Sequence, residues 1–315
     1  MRERELTVLR KSLVKLTRTQ RQQLVVELTA EERQFASVAV IESAATHQKC
    51  PHCGAERIVK NGTADGLQRF KCRACAKTFN ALTGTPLAHL HQRMKWLEQA
   101  AVMRDGLSLT QAMQRLHVAR TTALRWRHRF LAAPKTIQAQ MLNGVAETDE
   151  TYFLHSCKGQ RSGLVRKARQ RGGKAAKRGL SKEQVPVLVA RDRSGATADF
   201  ILAVDDASHV VAALKPILPP DAILCTDSSR TLIAAARILK VEHHPVNLSA
   251  GIRVDGPWHV QNVNAYDSRL KGWLRHFKGV STRYLGSYLG WFRAIERTPG
   301  KTLQPALFLA SAVMA

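Results

Sequence analysis

The sequence lacks long apolar runs and is poor in acidic residues and cysteines. No stretch approaches the roughly 18 to 20 consecutive apolar residues that span a bilayer. Charged residues interrupt the first apolar positions, MRERELTVLRKSLVKL, every few residues, unlike in a signal peptide. These absences argue against membrane-spanning and secreted classes. We therefore expect a cytoplasmic protein with no membrane partner.

The shortage of acidic residues leaves a large positive charge. The 315 residues contain 49 Lys and Arg against 24 Asp and Glu, a formal net charge of +25. An excess of this size predicts a polyanionic partner such as nucleic acid. With 44% hydrophobic and 23% charged residues, the composition is that of a folded chain, which excludes fibrous and disordered classes. The length predicts two or three domains.

The six cysteines are too few and too unevenly placed for a disulfide framework. Cys157 and Cys225 stand alone, whereas the other four form two C-x2-C knuckles separated by 18 residues, CPHC (50–53) and CRAC (72–75). Two closely spaced cysteine pairs of this kind indicate metal binding. We expect neither lone cysteine to be a metal ligand or a nucleophile.

The two knuckles predict a zinc ribbon over residues 46–82. Four thiolates complete a tetrahedral shell, so we expect one structural Zn²⁺ per chain, held by Cys50, Cys53, Cys72 and Cys75. Gly and Asn-Gly turn signals between the knuckles are typical of a small β-hairpin. The alternative is four unrelated thiols. A ribbon can bind DNA, bind protein or simply hold a small domain together, and the sequence does not choose among these roles.

The segment LSLTQAMQRLHVARTTALRWRHRFL (107–131) has the spacing of a helix-turn-helix, within a predicted DNA-binding domain over 83–140. Basic and hydroxyl groups of its second helix are predicted to face DNA. They are Arg120, Thr121, Thr122, Arg125, Arg127 and Arg129, next to His128. The alternative is an ordinary helical hairpin with a solvated basic face.

The rest of the chain predicts a helical arm over 1–45, an α/β domain over 141–300 and a tail over 301–315. Short β-branched runs in the α/β domain alternate with alanine-rich helical stretches, which is typical of a mixed or parallel sheet covered by helices.

Two aspartates of the α/β domain lie where strands are predicted to end. Asp149 lies in ETDETYF and Asp227 closes AILCTD, and paired carboxylates of this kind suit hard divalent cations. Asn264 and Lys271 are seven residues apart on a predicted helix over 259–277, so they share one face. Asn264 can offer a neutral oxygen to a metal and Lys271 can contact a phosphate. Taken alone, an Asp at a strand end is more often a turn or cap residue.

A basic segment, residues 161–178, follows the Asp149 strand. Eight of its eighteen residues are Lys or Arg, and we interpret it as a loop that tracks DNA, with a merely solvated segment as the alternative. Its predicted DNA contacts are Arg166, Lys167, Arg169, Arg171, Lys174, Lys177 and Arg178. His243, His244 and His259 are predicted to be structural, and His259 is the histidine most worth testing.

These motifs together resemble the insertion-sequence transposases with an ISXO-like catalytic domain, insertion-sequence family fifteen-ninety-five, from Cys50 to about Arg293. The resemblance is carried by the two knuckles and the segments KTFNALTGTPLA, TTALRWRHRFL, E-x-D-E-T-Y (147–152), TDSSRT (226–231) and HVQNVNAYDSRLKGWLRHFKGVSTRYLGSYLGWFR (259–293). It implies an RNase H-like catalytic domain of the DDE type. One branch replaces the third acid with asparagine and has a lysine seven residues later, which Asn264 and Lys271 match.

The resemblance implies a DNA transposase that binds its element's terminal inverted repeats and performs strand cleavage and strand transfer. Asp149, Asp227 and Asn264 would hold two Mg²⁺ per site, with Mn²⁺ as a substitute, and Lys271 would position phosphate. Double-stranded DNA, both element ends and target, is the expected partner. A homodimer or higher assembly on the bacterial nucleoid is expected as well. Because Asn264 supplies no charge, an inactive DNA-binding regulator is one alternative, and a nuclease without a transfer step is another.

Overall fold

The computed structural model describes residues 3–45, 49–160, 162–164, 175–176, 181–297 and 304–314. The helices are α1 Glu3–Leu13, α2 Arg18–Ala44, α3 Trp96–Arg104, α4 Leu109–Leu116, α5 Arg120–Phe130, α6 Ala132–Thr136, α7 Ala207–Leu214, α8 Arg230–Leu239, α9 Gln261–His276, α10 Leu285–Glu296 and α11 Pro305–Val313. The strands are β1 Ile58–Ala64, β2 Leu67–Cys72, β3 Thr78–Phe79, β4 Val145–Leu154, β5 Gln184–Asp192, β6 Thr197–Ile201, β7 Ile223–Asp227, β8 Glu242–Val246, β9 Val254–Asp255 and β10 Trp258–His259. None of the described helices is both long and apolar enough to cross a membrane.

The chain forms two compact units, Met1–Phe130 with Leu303–Ala315, and Leu131–Thr302. In the first unit, α2 begins with a capping box in which Thr17 and Gln20 satisfy each other's backbone N–H groups. Helix α11 packs against α2, α3 and α5. The segment predicted as a tail therefore contains a packed helix, because its apolar side chains Phe308, Leu309 and Val313 are buried. The boundaries predicted for the helical arm, the zinc ribbon and the DNA-binding domain within this unit remain predictions.

A three-stranded antiparallel sheet, β1-β2-β3, carries the cysteine knuckles. The β1–β2 turn lies at Asp65–Gly66, where both residues have positive φ, as a tight hairpin turn requires. The Asn-Gly pair that we interpreted as a turn signal lies instead within β1, where the register shifts between Lys60 and Thr63. Gly62 has a φ of 70°, so the pair marks a bulge and not the turn.

Helices α4 and α5 form a helical pair in the first unit. Ser108 and Gln111 make a capping box at the start of α4, and His117 ends that helix in the left-handed region. Helix α5 buries Ala123, Trp126 and Phe130, which share one helical face. The two helices with the short turn between them fit the predicted helix-turn-helix spacing.

The second unit is built on a five-stranded mixed sheet of order β6-β5-β4-β7-β8. Strand β4 pairs antiparallel with β5 and parallel with β7, β5 pairs antiparallel with β6, and β7 pairs parallel with β8. This unit contains the strands and helices that the sequence pattern predicted for the α/β domain. The mixed sheet fits the RNase H-like catalytic domain that the resemblance implied.

The two faces of this sheet are covered differently. Side chains of α7 and α8 join those of the sheet in one apolar cluster that includes Leu188, Leu224, Leu214 and Leu232. Helix α9 contacts β4 and β5, and α10 contacts β6 and α6. Glu147 on β4 accepts a hydrogen bond from the first turn of α9. Since alternate strand residues share a face, Asp149 also points to the side covered by α9.

We predict that Gly290→Ala is destabilising and that Gly286→Ala in the same helix is not. A Cβ on Gly290 would lie only 2.6 Å from Cα of Lys135 in α6, so backbone must move. We expect a loss of about 1 to 3 kcal/mol in the free energy of unfolding, as for other overpacked sites. A Cβ on Gly286 meets only side-chain atoms at 3.5 and 3.6 Å, so alanine there should be neutral or stabilising by about 0.5 to 1 kcal/mol. Urea unfolding of both variants measures the difference, and equal stabilities would contradict the assigned packing.

Candidate functional site

Three carboxylates meet beside the carboxyl end of β7. Asp149, Glu150 and Asp227 each place one oxygen within 4.8 Å of the others. The parallel pairing of β4 and β7 brings Thr148 opposite Thr226, so the next residue of each strand is one of the two aspartates. The structure thus brings together the two aspartates singled out in the sequence, and adds Glu150.

Only one of the two aspartates ends a strand. Asp227 is the last residue of β7, as expected, but β4 continues from Asp149 to Leu154. The prediction that Asp149 lies at a strand end is therefore wrong. The physical reason is that β5 pairs with β4 from Ala146 to Leu154, so hydrogen bonding on that side holds the strand extended beyond β7.

Burial and neighbouring carboxylates raise the pKa of Asp149 and of Glu150. Burial, and then repulsion from Asp227, raises the pKa of Asp149 to about 6, against the opposing effects of the Glu150 backbone N–H and the Lys271 ammonium. Burial, followed by repulsion from Asp205, Asp149 and Asp227, raises the pKa of Glu150 to about 8. The buried Glu150 Oε1 makes no hydrogen bond within the described part of the chain. Half-buried, underpaired carboxylates are the ligands that hard divalent cations prefer, so the residues present fit such a metal.

Asn264 and Lys271 lie on α9, which contacts β4. Asn264 is half-buried, and Lys271 is exposed. Lys271 lowers the pKa of Asp149, which indicates that its ammonium is close to the carboxylate cluster. The helix also carries Asp267, which is buried and lies three residues after Asn264 and four before Lys271. Burial, and then repulsion from Asp149, raises the pKa of Asp267 to about 7.

Sequence reasoning missed Glu150, Asp205 and Asp267. Tyr152 donates a hydrogen bond of 2.6 Å to Oδ2 of Asp205, and repulsion from Asp205 raises the pKa of Glu150 more than repulsion from either aspartate of the cluster. The signal for Glu150 was present, since it directly follows Asp149 in ETDETYF. Neighbouring strand residues point to opposite faces, so the sequence offers no reason to place both side chains in one site. Asp205 had no local signal, because it lies 55 residues after Glu150.

The four predicted zinc ligands form a single cluster. Their Sγ atoms all lie within 4.8 Å of one another, with Cys50 and Cys75 3.8 Å apart and Cys53 and Cys72 3.6 Å apart. A tetrahedron with Zn–S bonds of about 2.3 Å needs sulfur atoms about 3.8 Å apart. Backbone N–H groups of Cys75 and Ala74 lower the pKa of the Cys72 thiol to about 7, which favours the thiolate. The cluster therefore fits a structural zinc ion.

The predicted DNA contacts on α5 are not equivalent. Arg120, Thr121, Arg125 and Arg129 are exposed and Thr122 is half-buried. Arg127 is buried and donates a 2.7 Å hydrogen bond from Nη2 to the Leu107 carbonyl. Its prediction as a DNA contact is corrected, because position 127 falls on the same helical face as Ala123 and Phe130. Arg166, Lys167, Arg169, Arg171, Lys174, Lys177 and Arg178 lie outside the described residues.

Residues 141–293 match a family model described as the ISXO2-like transposase domain. An uncharacterized protein in transposable element ISH50 of Halobacterium salinarum is 29% identical over 259 residues, which are 80% of this chain and 87% of that protein. A simian T-cell lymphotropic virus intasome in complex with PP2A regulatory subunit B56 gamma aligns with 14% identity and a TM-score of 0.28, over 61% of this chain and 66%, just under two thirds, of that chain. A pre-cleavage Mos1 transpososome aligns with 12% identity and a TM-score of 0.23, over 69% of this chain and 77% of that one. Scores this low do not identify a common fold, so the sequence matches carry the comparison.

We predict one zinc ion per chain, lost on substitution of Cys50→Ser with Cys72→Ser. Both thiols are buried within the cluster, and serine oxygens do not replace thiolates in such a shell. Elemental analysis of the purified protein measures the zinc. The control is Cys157→Ser, which removes a thiol outside the cluster and should leave zinc unchanged. Zinc retained in the double variant would refute the assignment.

We predict that divalent cations stabilise the protein more as pH rises. A carboxyl group with a raised pKa contributes stability below its unfolded pKa and loses it as pH rises through the folded value. For Asp149 and Glu150, with pKa values of about 6 and about 8, that loss spans about pH 4 to pH 8. Because only deprotonated carboxylates bind cations, the Tm increase caused by Mn²⁺ should grow over this window. Thermal melts with and without Mn²⁺ measure it, and a pH-independent increase would contradict the site.

Proposed function

Since this chain belongs to the transposases with an ISXO2-like transposase domain, we propose that it binds the terminal inverted repeats of its element and catalyses DNA strand cleavage and strand transfer. The observation that carries the proposal is the cluster of Asp149, Glu150 and Asp227, whose oxygens lie within 4.8 Å of one another. Two-metal phosphoryl transfer uses such clusters to hold its cations. There is little covalent chemistry for the protein to do, so positioning of charge supplies most of the catalysis.

Asp149 and Asp227 are proposed to hold two Mg²⁺, or Mn²⁺ as a substitute, with Asn264 completing the ligand set. Bound there, the cations would activate a water or a 3′-hydroxyl and stabilise the leaving oxygen. Glu150 adds a third carboxylate to the cluster, so the neutral side chain of Asn264 does not leave the site with only two. Lys271 carries a positive charge near Asp149 and is exposed, which suits a contact with the phosphate of the scissile strand.

DNA recognition is proposed to reside in the first unit and in the basic segment 161–178. Exposed Thr121, Arg125 and Arg129 on α5 are spaced four residues apart, so they form one line along the helix. The net charge of +25 supports binding to the phosphate backbone. A homodimer or higher assembly on DNA is proposed because two element ends must be held together for transfer.

We predict that Asp149→Asn and Asp227→Asn each abolish cleavage and transfer but spare binding of element ends. Each change removes one full charge from a cluster that must hold divalent cations, and the rate should fall by about 10³-fold or more. Nicking of a duplex that carries the element end, with Mg²⁺ or Mn²⁺, measures the rate, and a gel shift measures binding. Asp221→Asn, an exposed carboxylate of the same unit, is the matched control.

The same assays separate the alternatives. Parental activity in either aspartate variant would show that the site is misassigned. Nicking without joining to target DNA would identify a nuclease. Wild-type protein that binds its ends but never nicks them would favour a DNA-binding regulator.

We predict that Arg125→Ala with Arg129→Ala weakens binding to element ends more than binding to random DNA. If α5 reads bases, each arginine should contribute about 1 to 3 kcal/mol of discrimination, whereas phosphate contacts are lost equally on both DNAs. Arg230→Ala with Arg237→Ala on α8 removes the same charge from exposed positions of the other unit and is the control. Titrations at several salt concentrations give the affinities. Equal losses on both DNAs would reduce α5 to a phosphate-binding helix.

A further inference from the structure

Glu147 is a fully buried carboxylate on β4, two residues before Asp149. Its Oε2 accepts hydrogen bonds from the backbone N–H groups of Asn262, at 2.7 Å, and Val263, at 3.1 Å. Its Oε1 accepts one from Nδ2 of Asn262 at 2.8 Å. Unlike the carboxylates of the cluster, Glu147 is therefore well partnered, and its charge is not available for a cation.

The backbone partners of Glu147 are the N–H groups of the first turn of α9. This turn follows Val260, whose side chain cannot accept a hydrogen bond, and no side-chain cap is formed there. The first N–H groups of a helix have no partner within the helix and carry partial positive charge. Glu147 supplies the missing cap from a strand more than 100 residues away in the chain, so it joins α9 to β4 directly.

Two further cationic or polar groups balance the buried charge. Arg193, directly after β5, places Nε 3.0 Å from Oε1 of Glu147. Its Nη1 lies 2.8 Å from Nε2 of His259, and Nδ1 of the same ring lies 3.2 Å from Oε1 of Glu147. One carboxylate thus holds β4, the end of β5, β10 and α9 together.

Through these contacts, Glu147 is linked to two residues of the proposed site, Asp149 on β4 and Asn264 on α9. Asp149 follows Glu147 by two residues on the same face of β4, and Asn264 directly follows Val263 on α9. We propose that Glu147 is a positioning residue that sets the location of Asn264 relative to Asp149, and thereby the affinity of the site for divalent cations. The proposal rests on the proposed function for the role of the cations, but the contact between Glu147 and α9 is independent of it.

Glu147→Gln tests the proposal with little change in volume. The amide retains one acceptor but turns a donor toward Asn262, Arg193 or His259, so the first turn of α9 loses part of its cap. We expect the amides of Asn262 and Val263 to exchange hydrogen about five- to tenfold faster. We expect Mn²⁺ affinity, measured by calorimetry, to fall by about 10- to 100-fold, the range typical for residues that orient metal ligands.

Thr148→Val is the matched control. Thr148 is the next residue of β4 and equally buried, and its hydroxyl makes no hydrogen bond within the described residues. Valine preserves its shape, so exchange in α9 and Mn²⁺ affinity should both stay at the wild-type values. A combination of Glu147→Gln with Asn262→Asp exchanges donor and acceptor across the contact. We expect it to recover part of the Mn²⁺ affinity, which a general loss of stability would not allow.

If Glu147→Gln does not fold, Asn262→Ala removes one side-chain donor and leaves the carboxylate in place. A smaller loss of Mn²⁺ affinity, about three- to tenfold, is then expected. Wild-type exchange rates or wild-type Mn²⁺ affinity in a folded Glu147→Gln variant would overturn the proposal. Failure of the proposed function has a different signature, because wild-type protein that never nicks its ends can still show the exchange and affinity changes at Glu147.

Discussion

Carboxylates crowded on β4 and β7 impose the constraint on which this unit depends. Glu147 is buried but its charge is balanced by Arg193, His259 and the first turn of α9. Asp149, Glu150 and Asp227 lie together with fewer hydrogen-bond donors and cations around them than Glu147 has. Burial and repulsion from neighbouring carboxylates raise the pKa of Asp149 and of Glu150. The same strand therefore carries a structural acid and a cluster that a cation would stabilise.

Glu147 and the carboxylates of the cluster differ in charge balance because different structural elements lie beside them. Glu147 lies beside a helix start, which supplies N–H donors and partial positive charge. Asp149 lies beside the carboxyl end of β7, where the neighbouring residue is Asp227. A sheet holds both arrangements two residues apart because its backbone is fixed by pairing on both sides. In the proposed site, the neutral side chain of Asn264 would be accompanied by three carboxylates, because Glu150 lies beside Asp149 and Asp227.

The small sheet of the first unit has little apolar core to stabilise it. Its three strands bury Phe79 and the thiols of Cys50 and Cys72, with Phe70 stacked on Phe79. Four thiols within 4.8 Å of one another suit a zinc ion, which would supply the stability that the core lacks. In the helical pair, Arg127 is buried and donates a hydrogen bond to the Leu107 carbonyl, whereas Arg125 and Arg129 remain exposed.

The sequence by itself determined the features that depend on neighbours along the chain: the two C-x2-C knuckles, the five β-branched strands, the helix over α9, and Asp227 at the end of an apolar run. Only the tertiary structure decided which of these features meet. The bulge at Gly62, the position of Asp149 within its strand, the approach of Glu150 and the burial of Arg127 all depend on pairing or packing with distant segments. Glu147 is the clearest case, since its partners Asn262 and Val263 lie 115 and 116 residues away. Local periodicity reports which face of an element is apolar, but long-range pairing sets what that face touches.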